Sequence, residues 1–412
     1  MLIISLILFF TCYYFCFTKR TGLLSISVFI FTTYFLYGLF GAYFITIIPE
    51  LTINNWVLLC GLIYFYFYFF SFIYLLSYSL PGVLIHSLIM VGVTFLKIIF
   101  PIHPLILLYP HAERFLPATE STFLNLLLLF FLSGVLFCRC NITLRVTYLL
   151  IPVLFLIITN SQYREPKKTN LKIAIVQVGL YFEKGGSTTR FFRDFMDFLH
   201  LHPEVNAIAF SENNFFSYKS EYNKYMSEKL ISDIQENKLH HKYHLILSFS
   251  GYKDFNNIIT LYQFSGLTKL NQKKTLIPFI EKPGVFNSKN SISSEFYSIN
   301  KSHKNSILNV MGNTVSTHIC YDALFPETHN NDSDIILIQS NYKLLNHGYG
   351  FERLQHIATY LAKFINGLKS NIVINIQNTG GTVVIYDGWR VDSEIYEVSK
   401  TEPFFVVDTS KL

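Results

Sequence analysis

The chain has 412 residues, of which 51% are hydrophobic and only 15% charged, with 41 Phe and 27 Tyr, and its mean hydropathy is +0.35. That composition excludes a disordered chain and argues against a purely cytosolic enzyme. The net charge of +6 is too diffuse to form a nucleic-acid footprint, so no nucleic-acid partner is expected.

Charge is unevenly spread. Residues 1–160 hold six of the 33 basic and three of the 27 acidic side chains, and the rest lie in 161–412. Crossing a bilayer takes about 20 apolar residues in a helix. The stretches 2–18, 22–48, 55–78, 82–102, 121–138 and 144–160 meet that length. The expectation is therefore a transmembrane helical region of about six spans over 1–160, with the bilayer as a partner. Residues 1–17 do not read as a signal peptide, because Lys19-Arg20 follows the apolar run instead of preceding it. Lys19, Arg20, Arg139 and Arg145 fall on one side of the expected membrane, and Arg114, Arg164, Lys167, Lys168 and Lys172 on the other. Charge counting is close to a tie and leaves sidedness open.

Residues 161–170 form a polar linker, and 171–412 read as a domain of enzyme size. Short β-branched runs predict strands at 172–178, 206–211, 243–250, 257–264, 314–320, 333–339, 371–376 and 382–386. Helical spacing predicts helices at about 187–201, 220–236 and 350–368. The alternation implies a layered α/β domain, and the Ser/Asn/Lys-rich 283–305 segment reads as a surface loop.

Three residues stand where predicted strands end: Glu212, Lys273 after 257–264, and Cys320, the only cysteine beyond residue 160. With one thiol there is no disulfide framework and no CxxC zinc pair, and no metal is expected. A carboxylate, an ammonium and a thiol together can run covalent catalysis. The carboxylate takes the thiol proton, the thiolate attacks a carbonyl, and the lysine with the N–H of Tyr321 stabilises the oxyanion. His318 lies two residues before Cys320, but Glu212 already fills the base role.

Read in order, Ser-Glu at 211–212, Lys-x-x-Leu-Ile-Pro-Phe-x-Glu at 273–281 and Ile-Cys-Tyr-Asp at 319–322 resemble the nitrilase, or carbon-nitrogen hydrolase, superfamily. The hydrophobic first part and the Pro-Phe-x-Glu element resemble its apolipoprotein N-acyltransferase branch. The likeness covers most of 171–390, from Val176-Gln177 to Leu354-Gln355-His356. It implies a four-layer αββα sandwich on a transmembrane helical bundle. It also implies roles: Glu212 as general base, Lys273 as stabiliser of the tetrahedral intermediate, and Cys320 as nucleophile. Glu281, Tyr321 and Asp322 would be supporting residues.

The activity so implied needs no cofactor. An acyl chain passes from a phospholipid donor, through a Cys thioester, to the N-terminal amine of a diacylated lipoprotein acceptor. By resemblance the chain would be a multi-pass protein of a bacterial inner membrane with its catalytic domain periplasmic. The alternatives are a tethered amidase or hydrolase, and a conjugal-transfer or envelope-assembly relative.

The sequence also departs from the family pattern. Asp322 replaces a glutamate, which would loosen local hydrogen bonding. Ser211 replaces a proline. Residues 340–345, Ser-Asn-Tyr-Lys-Leu-Leu, lack the aspartate and large aromatics of the family's lid.

Overall fold

A computed structural model of the chain describes residues 80–97, 109, 121–137, 143, 146–147, 150, 168–212, 220–250, 258–276, 307–326, 333–341, 351–366, 372–386 and 388–411. The chain divides into two compact units. One comprises Met1–Tyr163 with Leu344–Ile357, and the other Arg164–Lys343 with Ala358–Leu412.

In the first unit, helix α1 covers Leu80–Phe95 and α2 covers Thr122–Phe137. Pro81 sits in the first turn of α1, where its missing N–H costs nothing. Inside the helix, Ser87 Oγ donates to Val83 O at 2.8 Å and Thr94 Oγ1 to Met90 O at 3.0 Å, which satisfies both hydroxyls in an apolar setting. The α1 segment ends at Lys97, whose φ is 58° and whose N–H closes on Thr94 O. Ser121 Oγ accepts from Leu124 N at 3.3 Å and starts α2. Phe95 and Phe123 bring the two helices together, with ring centroids 5.8 Å apart.

These helices correct the expected membrane bundle. Each has 16 residues, which at ~1.5 Å per residue falls short of a ~30 Å hydrocarbon core. Among the described residues no helix is long and apolar enough to cross a membrane. The transmembrane bundle and the multi-pass inner-membrane placement are overturned on that finding. The expected spans 2–18, 22–48 and 55–78, and most of 144–160, lie outside the described residues.

The second unit carries two sheets. Strands β1 (Lys172–Val176), β2 (Ala207–Phe210), β3 (His244–Ser250), β4 (Ile258–Phe264), β5 (Leu267–Gln272) and β11 (Phe404–Asp408) form the first, in the order β11-β1-β2-β3-β4-β5. Strands β6 (Leu308–Val310), β7 (Asn313–Ile319), β8 (Ile335–Ser340), β9 (Ile372–Gln377) and β10 (Val383–Ile385) form the second, in the order β10-β9-β8-β7-β6. Parallel pairs make the centre of each sheet: β1 with β2 and β2 with β3 in one, β7 with β8 and β8 with β9 in the other. All four residues of β2 and all six of β8 and β9 are buried, as strands covered on both faces must be.

Side-chain alternation sorts the layers. Ile173, Ala207, Ala209, Ile246 and Tyr262 share one core with Val315, Leu337, Ile374 and Val384, so the two sheets pack face to face. The alternate residues Ala174, Val176, Ile208, Phe210, Leu245, Leu247 and Leu261 point the other way. They meet helices α3 (Val178–Glu183), α4 (Thr188–Leu201), α5 (Ser220–Glu236) and α6 (Leu239–Lys242). On the outer face of the second sheet, Ile336, Ile338, Val373 and Val383 pack with Ala362 of α7 (Phe351–Asn366) and Tyr396 of α8 (Ser393–Thr401). Helix, sheet, sheet and helix are thus stacked in that order within this unit, which holds α7 from Ala358 onward.

The pole of the sandwich away from the strand ends bearing the candidate residues holds a polar link between the sheets. His244 Nδ1 lies 2.8 Å from Tyr262 OH, which donates to Asn309 O of β6 at 3.3 Å. The imidazole also stacks on Phe264 at 3.7 Å. Burial pushes the His244 pKa below its ordinary value of 6.5. The unfolded chain therefore binds a proton that the folded chain resists, so stability is present above pH 6.5 and declines as pH falls through the window beneath it. A melting-temperature series from pH 7.5 to 5 should show this decline, and His244→Phe should flatten it. An unchanged slope in the variant would refute the assignment.

Candidate active site

Strand direction collects the three residues at one pole. Glu212 lies two residues beyond the C-terminal end of β2, and Cys320 directly follows β7. The structure places Lys273 directly after β5, an element the sequence reading did not identify, and not at the end of the 257–264 strand. Because β4 runs antiparallel to both β3 and β5, β5 ends at the same pole as β2. Loops at the carboxyl ends of such strands are where α/β folds place their chemistry.

Glu212 is 3% exposed and Lys273 is fully buried. Lys273 Nζ donates to Glu212 Oε1 at 3.3 Å, forming an ion pair out of reach of bulk water. Two charges removed from water in this way are tolerated only while each neutralises the other. Backbone bonds fix both ends: Ser211 N donates to Val176 O at 3.0 Å, and Lys273 N to Ile258 O at 2.8 Å.

Cys320 is buried and opens a 3₁₀ turn, Cys320–Leu324. Its φ is 48°, a left-handed conformation that costs a non-glycine residue about 1–3 kcal/mol. Such strain is held in place only by surrounding structure. The neighbouring Asp322 supplies that hold, since its carboxylate accepts from Lys274 N at 2.8 Å and from Thr275 N at 2.5 Å. The residue after the lysine is thereby tied to the turn that carries the thiol. Asp322 does not bond loosely, as its short side chain had suggested; it reaches two backbone donors. Tyr321 packs its ring edge-on against Phe325, with centroids 5.1 Å apart. Glu281 and residues 342–345 lie outside the described residues. His318 is buried, but Cys320 has left the strand, so alternation along β7 does not put the two on one face.

Several buried amides, to which the sequence assigns no role, join the elements around this pole. Gln339 Nε2 donates to Phe210 O at 2.7 Å and Ile246 O at 3.3 Å, and its Oε1 accepts from Thr260 Oγ1 at 2.6 Å. Asn271 Nδ2 donates to Thr317 O at 3.1 Å. Asn378 Oδ1 accepts from Ser211 Oγ at 2.9 Å and Gly179 N at 2.8 Å. Gln177 Nε2 donates to Ser399 O at 2.6 Å and its Oε1 accepts from Thr382 Oγ1 at 2.8 Å. The only signal in the sequence was an amide at the end of an apolar strand, with no indication of its partner.

Gly179 is required by this arrangement. A Cβ there would lie 2.8 Å from both Asn378 Nδ2 and Asn378 O. Gly179→Ala should therefore destabilise the domain by about 1–3 kcal/mol, the range for overpacking. Denaturant unfolding checks this, and a cost within ±0.5 kcal/mol, as for an ordinary surface change, would contradict it.

Among the described residues no cluster of three or more His, Cys, Asp or Glu could hold a metal ion. No family model matches the chain, and no curated protein matches its sequence. Solved structures do. Nit3 of Saccharomyces cerevisiae, a member of branch 10 of the nitrilase superfamily, is 12% identical over 56% of this chain and 93% of its own, with a TM-score of 0.37. A carbon-nitrogen hydrolase from Helicobacter pylori G27 is 14% identical over 58% and 90%, with a TM-score of 0.41. XC1258 of Xanthomonas campestris, a CN-hydrolase superfamily protein, is 15% identical over 59% and 92%, with a TM-score of 0.37. The structural neighbours of the chain are thus nitrilase superfamily members. The strand order and registers described above, and not these distant likenesses, carry the account of the fold.

Proposed function

We propose that the chain is a cysteine acyltransferase. It would take an acyl chain from a phospholipid as a thioester on Cys320 and pass it to the N-terminal amine of a diacylated lipoprotein. What supports the thiol chemistry is one observation, a buried Glu212–Lys273 ion pair stitched by Asp322 to a strained, buried cysteine; the choice of donor and acceptor rests on the sequence resemblance. In the first step Glu212 takes the Cys320 proton, the S–C bond forms at the ester carbonyl, and the lysine ammonium faces the developing oxyanion. Collapse expels the alcohol, which leaves with the proton from Glu212. In the second step the acceptor amine attacks the thioester, Glu212 takes its proton, and the thiol is restored when that proton returns to sulfur. Each half-reaction is neutral overall and needs no redox partner.

Product partition tests the reading. Purified protein is incubated with phospholipid, with and without a diacylated lipopeptide, and N-acylated peptide and free fatty acid are measured by mass spectrometry. Acyl transfer predicts peptide product that rises with peptide concentration at the expense of free acid. Free acid at the same rate with and without peptide would establish a hydrolase and refute the transferase.

A further inference from the structure

Glu212 stands beyond the end of β2, and its placement is set by the two residues before it. Both are held from the opposite sheet. Phe210 O accepts from Gln339 Nε2 of β8, and Ser211 Oγ donates to Asn378 Oδ1 in the turn after β9. Asn378 is itself fixed on three sides: its N–H donates to Ser340 O at 3.0 Å, its carbonyl accepts from Leu180 N at 2.8 Å, and its Oδ1 also accepts from Gly179 N. Ser211, Gln339 and Asn378 are 0%, 0% and 3% exposed. Buried polar groups so fully used and so rigidly held define one position for the peptide they grip.

We propose that Ser211 and Asn378 are positioning residues that hold the Glu212 carboxylate in register with Cys320 across the two sheets, with Gln339 gripping the adjoining peptide. Glu212 arrives from the first sheet and Cys320 from the second, so their separation is the separation of two sheets that could slide on an apolar interface. Directional bonds at residues 210 and 211 prevent that slide, and Asp322 does the same for Lys273. Ser211→Ala is a clean probe. It keeps the backbone N–H bond to Val176 O, and Asn378 Oδ1 retains its donor from Gly179.

The proposal rests on the thiol acyl-transfer reading, and the test separates the two. Two quantities are measured on the full chain: the pH profile of Cys320 alkylation by iodoacetamide, and the rate of acyl-Cys320 formation from 4-nitrophenyl butyrate. Wild type, Ser211→Ala, Ser211→Thr and Glu212→Gln are compared. The expected result is that Ser211→Ala moves the alkylation profile at least halfway toward that of Glu212→Gln. It should also slow acylation at least about tenfold, with half-saturation unchanged. Ser211→Thr keeps the donor and should follow wild type.

If Ser211→Ala shifts only the melting temperature, the residue is structural and the proposal is overturned. The same holds if Ser211→Thr fails alongside alanine, or if Glu212→Gln leaves the alkylation profile where it was. A wild type that never acylates, yet whose alkylation profile responds as described, would refute the acyl-transfer reading and leave the positioning proposal standing.

Discussion

Lys273→Met should destabilise the second unit by about 3–5 kcal/mol, the cost of leaving a buried charge without its partner. Lys273 is fully buried and Glu212 nearly so, so removing the ammonium strands a carboxylate that water does not reach. Trp389 lies in this unit and is buried, and it is one of two tryptophans. Its fluorescence in a Trp56→Phe background therefore reports urea unfolding of this unit alone. Adding Glu212→Leu to Lys273→Met should recover at least half of the loss, because two apolar groups of similar size often replace a buried pair at little cost. A single-mutant loss below about 1 kcal/mol, the range of exposed ion pairs, would mean that the pair is solvated and that no desolvated site exists here.

Asp322→Ala should slow acylation about a hundredfold, the scale expected when a reacting group is displaced by an ångström. The substitution takes the acceptor from two backbone N–H groups, Lys274 N and Thr275 N. The Thr275 N–H is buried, and losing its acceptor costs about 1–3 kcal/mol. Relaxing that peptide moves Lys273 and also loosens the turn that holds Cys320 at φ 48°. Asp322→Asn keeps one acceptor and should fall between wild type and alanine. Asp322→Glu should be slower than wild type, since the added methylene has to fit where a 2.5 Å bond already closes the gap. Single-turnover acylation rates decide the order, and an alanine variant as fast as wild type would remove Asp322 from the account.

The legible part of this fold was the part whose physics is local. Strands β1, β2, β7, β8 and β9 are buried on both faces and write themselves as β-branched runs. β5, with the sequence Leu-Thr-Lys-Leu-Asn-Gln, is an edge strand with exposed and half-buried positions, so it carries no such run. β11 pairs with β1 in the register Lys172 to Asp408, a partnership that nothing in either segment announces. Over the described helices of the first unit hydropathy predicts longer apolar runs than the helices themselves span. The apolar run 82–102 is continuous, but the helix stops at Phe95 because Lys97 turns left-handed, and Ser121 fixes where the next begins.

The candidate site divides in the same way. Glu212, Lys273 and Cys320 were visible because each follows an expected strand and the three fall in the order of the motif the sequence resembles. Their mutual placement was not, since it depends on Gln339, Asn378 and Asn271 bonding across sheets. An amide in a strand does not say which carbonyl, far away in the chain, it will meet.

That Cys320 carries the acyl group is tested by intact-mass measurement after incubation with phospholipid alone. The expected result is a gain of one acyl chain that hydroxylamine removes, absent in Cys320→Ala and strongly reduced in Glu212→Gln. The same adduct on the Cys320→Ala variant, or none on a wild-type protein whose Cys320 is alkylated readily, would contradict it.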